Sequence, residues 1–230
     1  MKPSSPAFIM YLIASFFAVM GIAMKNDLLV LLMKPIIVPS VFFYYMQVKE
    51  SKINWLFSIA LLLSFAADMI ILFDLEDGDI PVALLNIGMY LIFIYFSIKD
   101  MPNKNLSVFN FSTFLLIVIA FLIVSYIVLD MMTGLDNFMH NLFLIYGIVL
   151  SVLASVIVFN HMKFLNIKTF YAVIMCICFV TSDIFFAIYN FYLKMEVFTI
   201  FNVTVQFASY YYMVKYFTSK VEVQDVIYEK

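Results

Sequence analysis

Arginine is missing from this 230-residue chain, histidine and cysteine occur twice each, and glycine only five times. Two histidines, His140 and His161, near opposite ends of one apolar run, exclude the multi-histidine metal clusters of membrane desaturases and hydroxylases. No H-E-x-x-H, G-x-S-x-G, P-loop or G-x-G-x-x-G is present, which removes the zinc-protease, serine-hydrolase and nucleotide-binding signatures. Without a nucleophile–histidine pair, covalent acyl transfer loses its chemistry. Cys176 and Cys178 stand two apart on one helix, point to different faces and cannot bridge; they read as small apolar fillers. Charge is scarce as well: 12% of residues are charged, against roughly a quarter in a soluble domain.

What fills the chain is hydrocarbon, with 66% of residues hydrophobic. A membrane-crossing helix needs about 20 mainly apolar residues. The runs at 7–24, 28–47, 54–73, 80–98, 107–129, 140–159, 169–192 and 197–217 predict an all-α polytopic membrane protein. It would be a single transmembrane domain over 1–230 with eight transmembrane helices. The first run has no A-x-A cleavage site and is read as a helix, not a leader. With eight spans, ten lysines share one side, including Lys49, Lys52, Lys99, Lys163 and Lys168. Only Lys25 and Lys194 lie opposite, beside Asp74, Glu76, Asp77, Asp79, Asp130 and Asp136. That bias predicts cytoplasmic termini and a multi-pass integral membrane protein, in the inner membrane if the source is bacterial. The abundant Phe, Tyr and Met read as packing, lipid-facing surface and interfacial anchors.

Two carboxylates interrupt the oil: Asp68 in IALLLSFAADMIILF and Asp183 in MCICFVTSDIFFAIYNF. An acid at that depth costs several kcal/mol unless compensated, and so marks a functional site by default. Lys34, Asn86, Asn202 and Gln206 fall in the same non-cytoplasmic half, and Asn190 follows Asp183 by seven residues on the same helical face. Together they predict a polar cavity open to that side, although each amide alone reads better as interhelical glue. The acids lie 115 residues apart, the spacing that two parallel four-helix repeats would give.

Two acids without metal ligands or nucleophiles point to acid–base catalysis, one carboxyl carrying a proton and the other ionised. Burial favours the neutral acid and a nearby lysine the carboxylate, so Lys34 would supply the asymmetry. Buried acids with a lysine equally suit a proton- or cation-coupled transporter, and a non-catalytic lipid-binding protein is a third reading.

Short motifs sharpen the first reading. Lys34-Pro35-Ile36-Ile37-Val38-Pro39 resembles the K-P-x-x-x-P element of the YhhN family, the lysoplasmalogenase-like membrane proteins. Ser64 to Asp68 with Met69-Ile70-Ile71 resembles its F-S-x-x-G-D-x-x-L stretch, with Ala67 in place of glycine. Ser182-Asp183 with Ala187 and Phe191 is similar to its S-D-x-x-x-A-x-x-x-F stretch, and Tyr211-Tyr212 to its late tyrosine pair. The resemblance implies hydrolysis of the vinyl ether bond of lysoplasmalogens to a fatty aldehyde and a glycerophosphoethanolamine or glycerophosphocholine. Asp68 and Asp183 would be catalytic, and Lys34, Asn86, Asn190, Asn202, Gln206 and Tyr211 would bind substrate. No metal or cofactor is expected, and the partners are the lysophospholipid and membrane lipid, not nucleic acid.

Overall fold

A computed structural model describes residues 5–50, 52–74, 78–101 and 108–219, with the backbone alone at 108–110. Lys2, Glu76, Asp77, Lys104, Lys220 and Lys230, used above to orient the chain, lie outside them. The described residues are all-helical: α1 Pro6–Ala23, α2 Asp27–Val48, α3 Trp55–Leu72, α4 Asp79–Lys99, α5 Val108–Met131, α6 Asn137–Lys163, α7 Ile167–Ala187 and α8 Glu196–Thr218. A π-helical segment, Ile188–Tyr192, continues α7. The observed ends differ from the hydrophobic runs by a few residues, most at α6, where polar Asn137, Asn160, His161 and Lys163 are helical too.

The helix starts follow side-chain chemistry. Ser5, Asn26, Asn54, Asp136 and Asn166 each accept a backbone N–H of the first turn, and Asn166 with Thr169 completes a capping box. Pro35 and Pro39 lie inside α2, which runs unbroken. Each lacks an N–H, a loss that helices packed in membranes tolerate because neighbouring groups satisfy the freed backbone.

Seven helices, α1 to α7, are long and apolar enough to cross a bilayer, which makes this an integral membrane protein by length and composition. α8 has the length, at 23 residues, but Asn202, Gln206 and a run of tyrosines make it more polar. It compensates by burial: Val203, Phe207, Tyr210, Met213 and Val214 all sit in the core.

α8 packs on α7, α1 and α2 and closes a ring that runs α1–α2–α3–α4–α6–α7–α8. α5 stands outside it, packed on α6 and on the π segment. Lipid tails offer no hydrophobic drive to bring helices together, so close backbone approach and polar contacts carry the association. At Gly21 an added Cβ would meet Val30 Cγ2 of α2 at 2.8 Å, and at Gly147 of α6 it would meet Ser125 Cβ of α5 at 3.1 Å. Ser125 Oγ also donates to the Gly147 carbonyl at 3.2 Å and lies 2.8 Å from Ser151 Oγ. One end of the bundle carries Asp74, Asp79, Asp130 and Asp136 and is called the acidic end; the other carries the first and last described residues, Ser5 and Ser219, and is called the terminal end.

Candidate functional site

Asp68 and Asp183 both face the interior from helices that end four residues later, α3 at Leu72 and α7 at Ala187. Their surroundings differ. Asp68 is 1% exposed. Gln206 Nε2 donates to its Oδ1 at 2.9 Å and Tyr210 Oη to its Oδ2 at 2.6 Å. Lys34 Nζ, itself buried, lies 3.7 Å from Oδ1. The sequence placed Lys34 and Asp68 at similar depths on neighbouring helices, and the fold makes them an ion pair.

Asp183 receives two phenols and makes no ion pair among the described residues. Tyr90 Oη donates to Oδ2 at 2.6 Å and Tyr146 Oη to the same oxygen at 2.7 Å, the two hydroxyls lying 3.2 Å apart. Both donors therefore converge on Oδ2, and Oδ1 receives neither. Ser182, just before it, donates to Asn202 Oδ1 at 2.6 Å.

Asp183 lines two cavities, and a third adjoins them. One of about 110 Å³ is walled by Asp183, Tyr146, Asn86, Ser182, Asn202 and Gln206 on its polar side and by Val82, Ala83, Val124, Val128, Leu129 and Leu150 on its apolar side. A vestibule of about 430 Å³ lies beside it at the acidic end, lined by Asp74, Asp79, Asp136 and Asn190; the two share Ile71, Asp79, Val82 and Phe186. The third, about 30 Å³, is roomy enough for one water. It is lined by Ser64, Asn86, Met89, Tyr90, Phe179, Ser182, Asp183, Gln206, Ser209 and Tyr210. Two of these, Gln206 and Tyr210, are the donors that hold Asp68. The small cavity thus connects the two carboxylate networks, with Asp183 on its wall and Asp68 one hydrogen bond behind it.

The residues named from sequence separate accordingly. Asp183, Asn86, Asn202 and Gln206 share the main cavity. Asp68 and Lys34 line none of the three cavities and act through Gln206 and Tyr210. Asn190 does not share the face of Asp183: the π segment changes the number of residues per turn and leaves its side chain exposed in the vestibule, where Nδ2 donates to the Phe186 carbonyl at 3.0 Å. Tyr211 lies toward the terminal end, its ring near Phe8 and Tyr44 and under the Lys215 ammonium. Its neighbour Tyr210 holds the acid. The signal was spacing: Tyr210 is four residues after Gln206, and Tyr90 four after Asn86, which puts each tyrosine on the face of an amide already singled out.

Among the described residues no group of three His, Cys, Asp or Glu side chains could hold a metal ion. The side chains present can instead hold a proton on Asp183, keep a charge at Asp68 against Lys34, and order a small molecule between them. No protein-family model matches the chain, nor does any curated protein or solved structure.

Proposed function

We propose that the chain is a membrane hydrolase of the lysoplasmalogenase-like YhhN type, cleaving the vinyl ether of a lysoplasmalogen by acid–base catalysis. The observation that carries this is the contrast between two inward-facing carboxyls joined through one small cavity: Asp68 fully buried beside Lys34, and Asp183 half-buried on the cavity wall and held by two phenols. Asp68 has a cation within ion-pair reach and serves as the carboxylate. Asp183 has none, and a bare charge at that depth is costly, so it carries the proton.

Asp183 delivers that proton to the outer alkene carbon, and positive charge spreads over the inner carbon and the ether oxygen. Water adds to the inner carbon and gives its proton to the basic network. The hemiacetal then collapses: the carbon–oxygen bond to glycerol breaks, the glycerol oxygen is protonated, and a fatty aldehyde leaves. One water is consumed and nothing is oxidised. Glycosidases use a protonated carboxyl and a carboxylate against a similar cation; here the carboxylate, Asp68, acts through Gln206 and Tyr210 and not on the substrate itself. Tyr90 and Tyr146 orient Asp183, while Gln206 and Tyr210 pass the influence of Asp68 into the cavity, where Asn86 and Asn202 can order the water.

α8 crosses the membrane with the other seven helices, for eight spans and cytoplasmic termini. At 1.5 Å per residue its 23 residues reach about 34 Å, enough for the hydrocarbon core. Two parallel four-helix halves support that count. The pairs α1–α2, α2–α3, α3–α4 and α2–α8 have counterparts in α5–α6, α6–α7, α7–α8 and α6–α4. Asn86, Met89 and Tyr90 of α4 recur 120 residues later as Gln206, Ser209 and Tyr210 of α8. The halves exchange ligands: Asp68 takes its tyrosine from α8 and Asp183 takes one from α4.

Purified protein in detergent is expected to release aldehyde from lysoplasmenylethanolamine and none from the saturated ether analogue. No release from either, together with solute flux in proteoliposomes, would replace hydrolysis by transport.

A further inference from the structure

The two halves differ in how their first helix closes. α1 packs against α8, and Tyr11 Oη donates to the Phe207 carbonyl at 2.6 Å. Its counterpart α5 is held on α6 by the Gly147–Ser125 approach and at its acidic end by Thr133, whose Oγ1 donates to the Phe191 carbonyl of the π segment at 3.1 Å. Among the described residues α5 has no extensive contact with α4. The bundle is therefore sealed beside Asp68 and parted beside Asp183.

The parting reaches the site. Val124 of α5 lines the Asp183 cavity and is also 41% exposed, continuous with lipid-facing Leu116, Ile123 and Ile127 on the same helix. Val82 and Ala83 face it from α4. A hydrocarbon chain lying in the bilayer thus meets apolar side chains all the way to the carboxyl. At about 10–15 Å³ per water-sized group, a cavity of about 110 Å³ takes roughly seven to eleven such groups. That is the bond to be cleaved and the groups nearest it; the rest of a tail has to lie in the cleft. The adjoining vestibule, lined by Asp74, Asp79, Asp136 and Asn190 beside Ile70, Ile80 and Met139, is mostly polar and gives a head group room but a second acyl chain little apolar surface.

We infer that a single-chain membrane amphiphile reaches Asp183 sideways from the bilayer through the cleft between α4 and α5, its head in the vestibule and its tail left in the cleft. This rests on the Asp183 cavity being the lipid-cleaving site, and it is tested without catalysis. The probe is a saturated 1-O-alkyl lysophosphatidylethanolamine with a diazirine in the chain, which has no vinyl ether to cleave. Full-length protein in bilayer nanodiscs is irradiated and its labelled residues are mapped by mass spectrometry.

Labelling concentrated at Val124, Val128 and Ala83, competed by unlabelled lysolipid but not by diacyl phospholipid, is the expected result. Val128→Trp should lower it several-fold. Leu116→Trp, on the outer face of α5, should leave it unchanged and controls for folding. Labelling spread evenly over lipid-facing residues, concentrated on the α1–α8 side, or equally competed by diacyl lipid would overturn the inference. Cleft labelling in a protein that releases no aldehyde from lysoplasmenylethanolamine would refute hydrolysis and leave the lateral route standing.

Discussion

Asp68 and Asp183 hold corresponding places, each four residues from the end of its helix and each bound by a tyrosine from across the bundle. What differs is the third partner and the wall. Lys34 of α2 approaches Asp68, whereas Tyr146 of α6 approaches Asp183. The first acid is enclosed in a fully partnered charge network; the second faces a cavity. A buried ion pair fixes a charge and a geometry but leaves little to react, while a carboxyl held only by phenols can take and give a proton. Under the proposed hydrolysis, the same scaffold gives one carboxyl a positioning role and the other contact with substrate.

That division is broken most directly by changing each acid in turn. Asp183→Asn should lower kcat by about 100- to 10,000-fold with little change in thermal stability. Asp68→Asn should do the reverse: turnover falls by no more than about tenfold, the worth of one hydrogen bond, while leaving Lys34 unpaired in the core costs about 3–5 kcal/mol. Equal kinetic losses, read on detergent-solubilised protein that still melts cooperatively, would end the distinction. Lys34→Met should destabilise by a similar 3–5 kcal/mol, and adding Asp68→Leu should recover most of it, since an apolar pair of similar volume often replaces a buried ion pair at no cost. A double variant no more stable than either single one would show that the pair is more than a fixed charge.

Finer contrasts follow from the tyrosines. Tyr90→Phe removes one of two donors to Asp183 and should move the pH profile of kcat while leaving KM in place. Tyr210→Phe leaves Asp68 its lysine and amide and should not move that profile; each change is worth about 1 kcal/mol. The smallest effect is expected at the exposed pair of Lys25 and Glu196. The Lys25 ammonium is held above its ordinary range by its hydrogen bond to Glu196 and then by that residue's charge. Such a contribution is complete below the ordinary lysine range and disappears as pH rises through the raised value. Being solvent-exposed it should be negligible, so Glu196→Gln should leave the melting temperature unchanged from neutral to mildly alkaline pH.

Much of the site was legible because a charge in hydrocarbon is conspicuous. Asp68, Asp183 and Lys34 stood out at once, and helix direction with a 1.5 Å rise put them in one half of the bundle. The tyrosines did not stand out, because Tyr is ordinary at membrane interfaces and this chain has 15 of them. The family resemblance singles out Tyr211, whereas the four-residue step from Gln206 marks Tyr210 geometrically. The pairing across halves, α8 to Asp68 and α4 to Asp183, depends on which helices become neighbours around the ring, and helical periodicity carries no information about that. α8 illustrates the same limit: its amides and hydroxyls lower its hydropathy because it faces polar groups of other helices, a feature of the assembled bundle.

From Asp68 to Tyr90 the chain takes 22 residues, and from Asp183 to Tyr210 it takes 27. The surplus divides between a longer connection, 188–195 against 73–78, and a longer start to α8; the first part of that connection, Ile188–Tyr192, is a π turn, a form frequent at functional sites. That stretch forms a lip over the acidic mouth, anchored by Thr133 and packed edge-to-face through Phe191 on Phe143. Lengthening or trimming it would resize the entrance without disturbing the carboxyls beneath, so under the proposed hydrolysis head-group selectivity and cleavage chemistry can diverge independently.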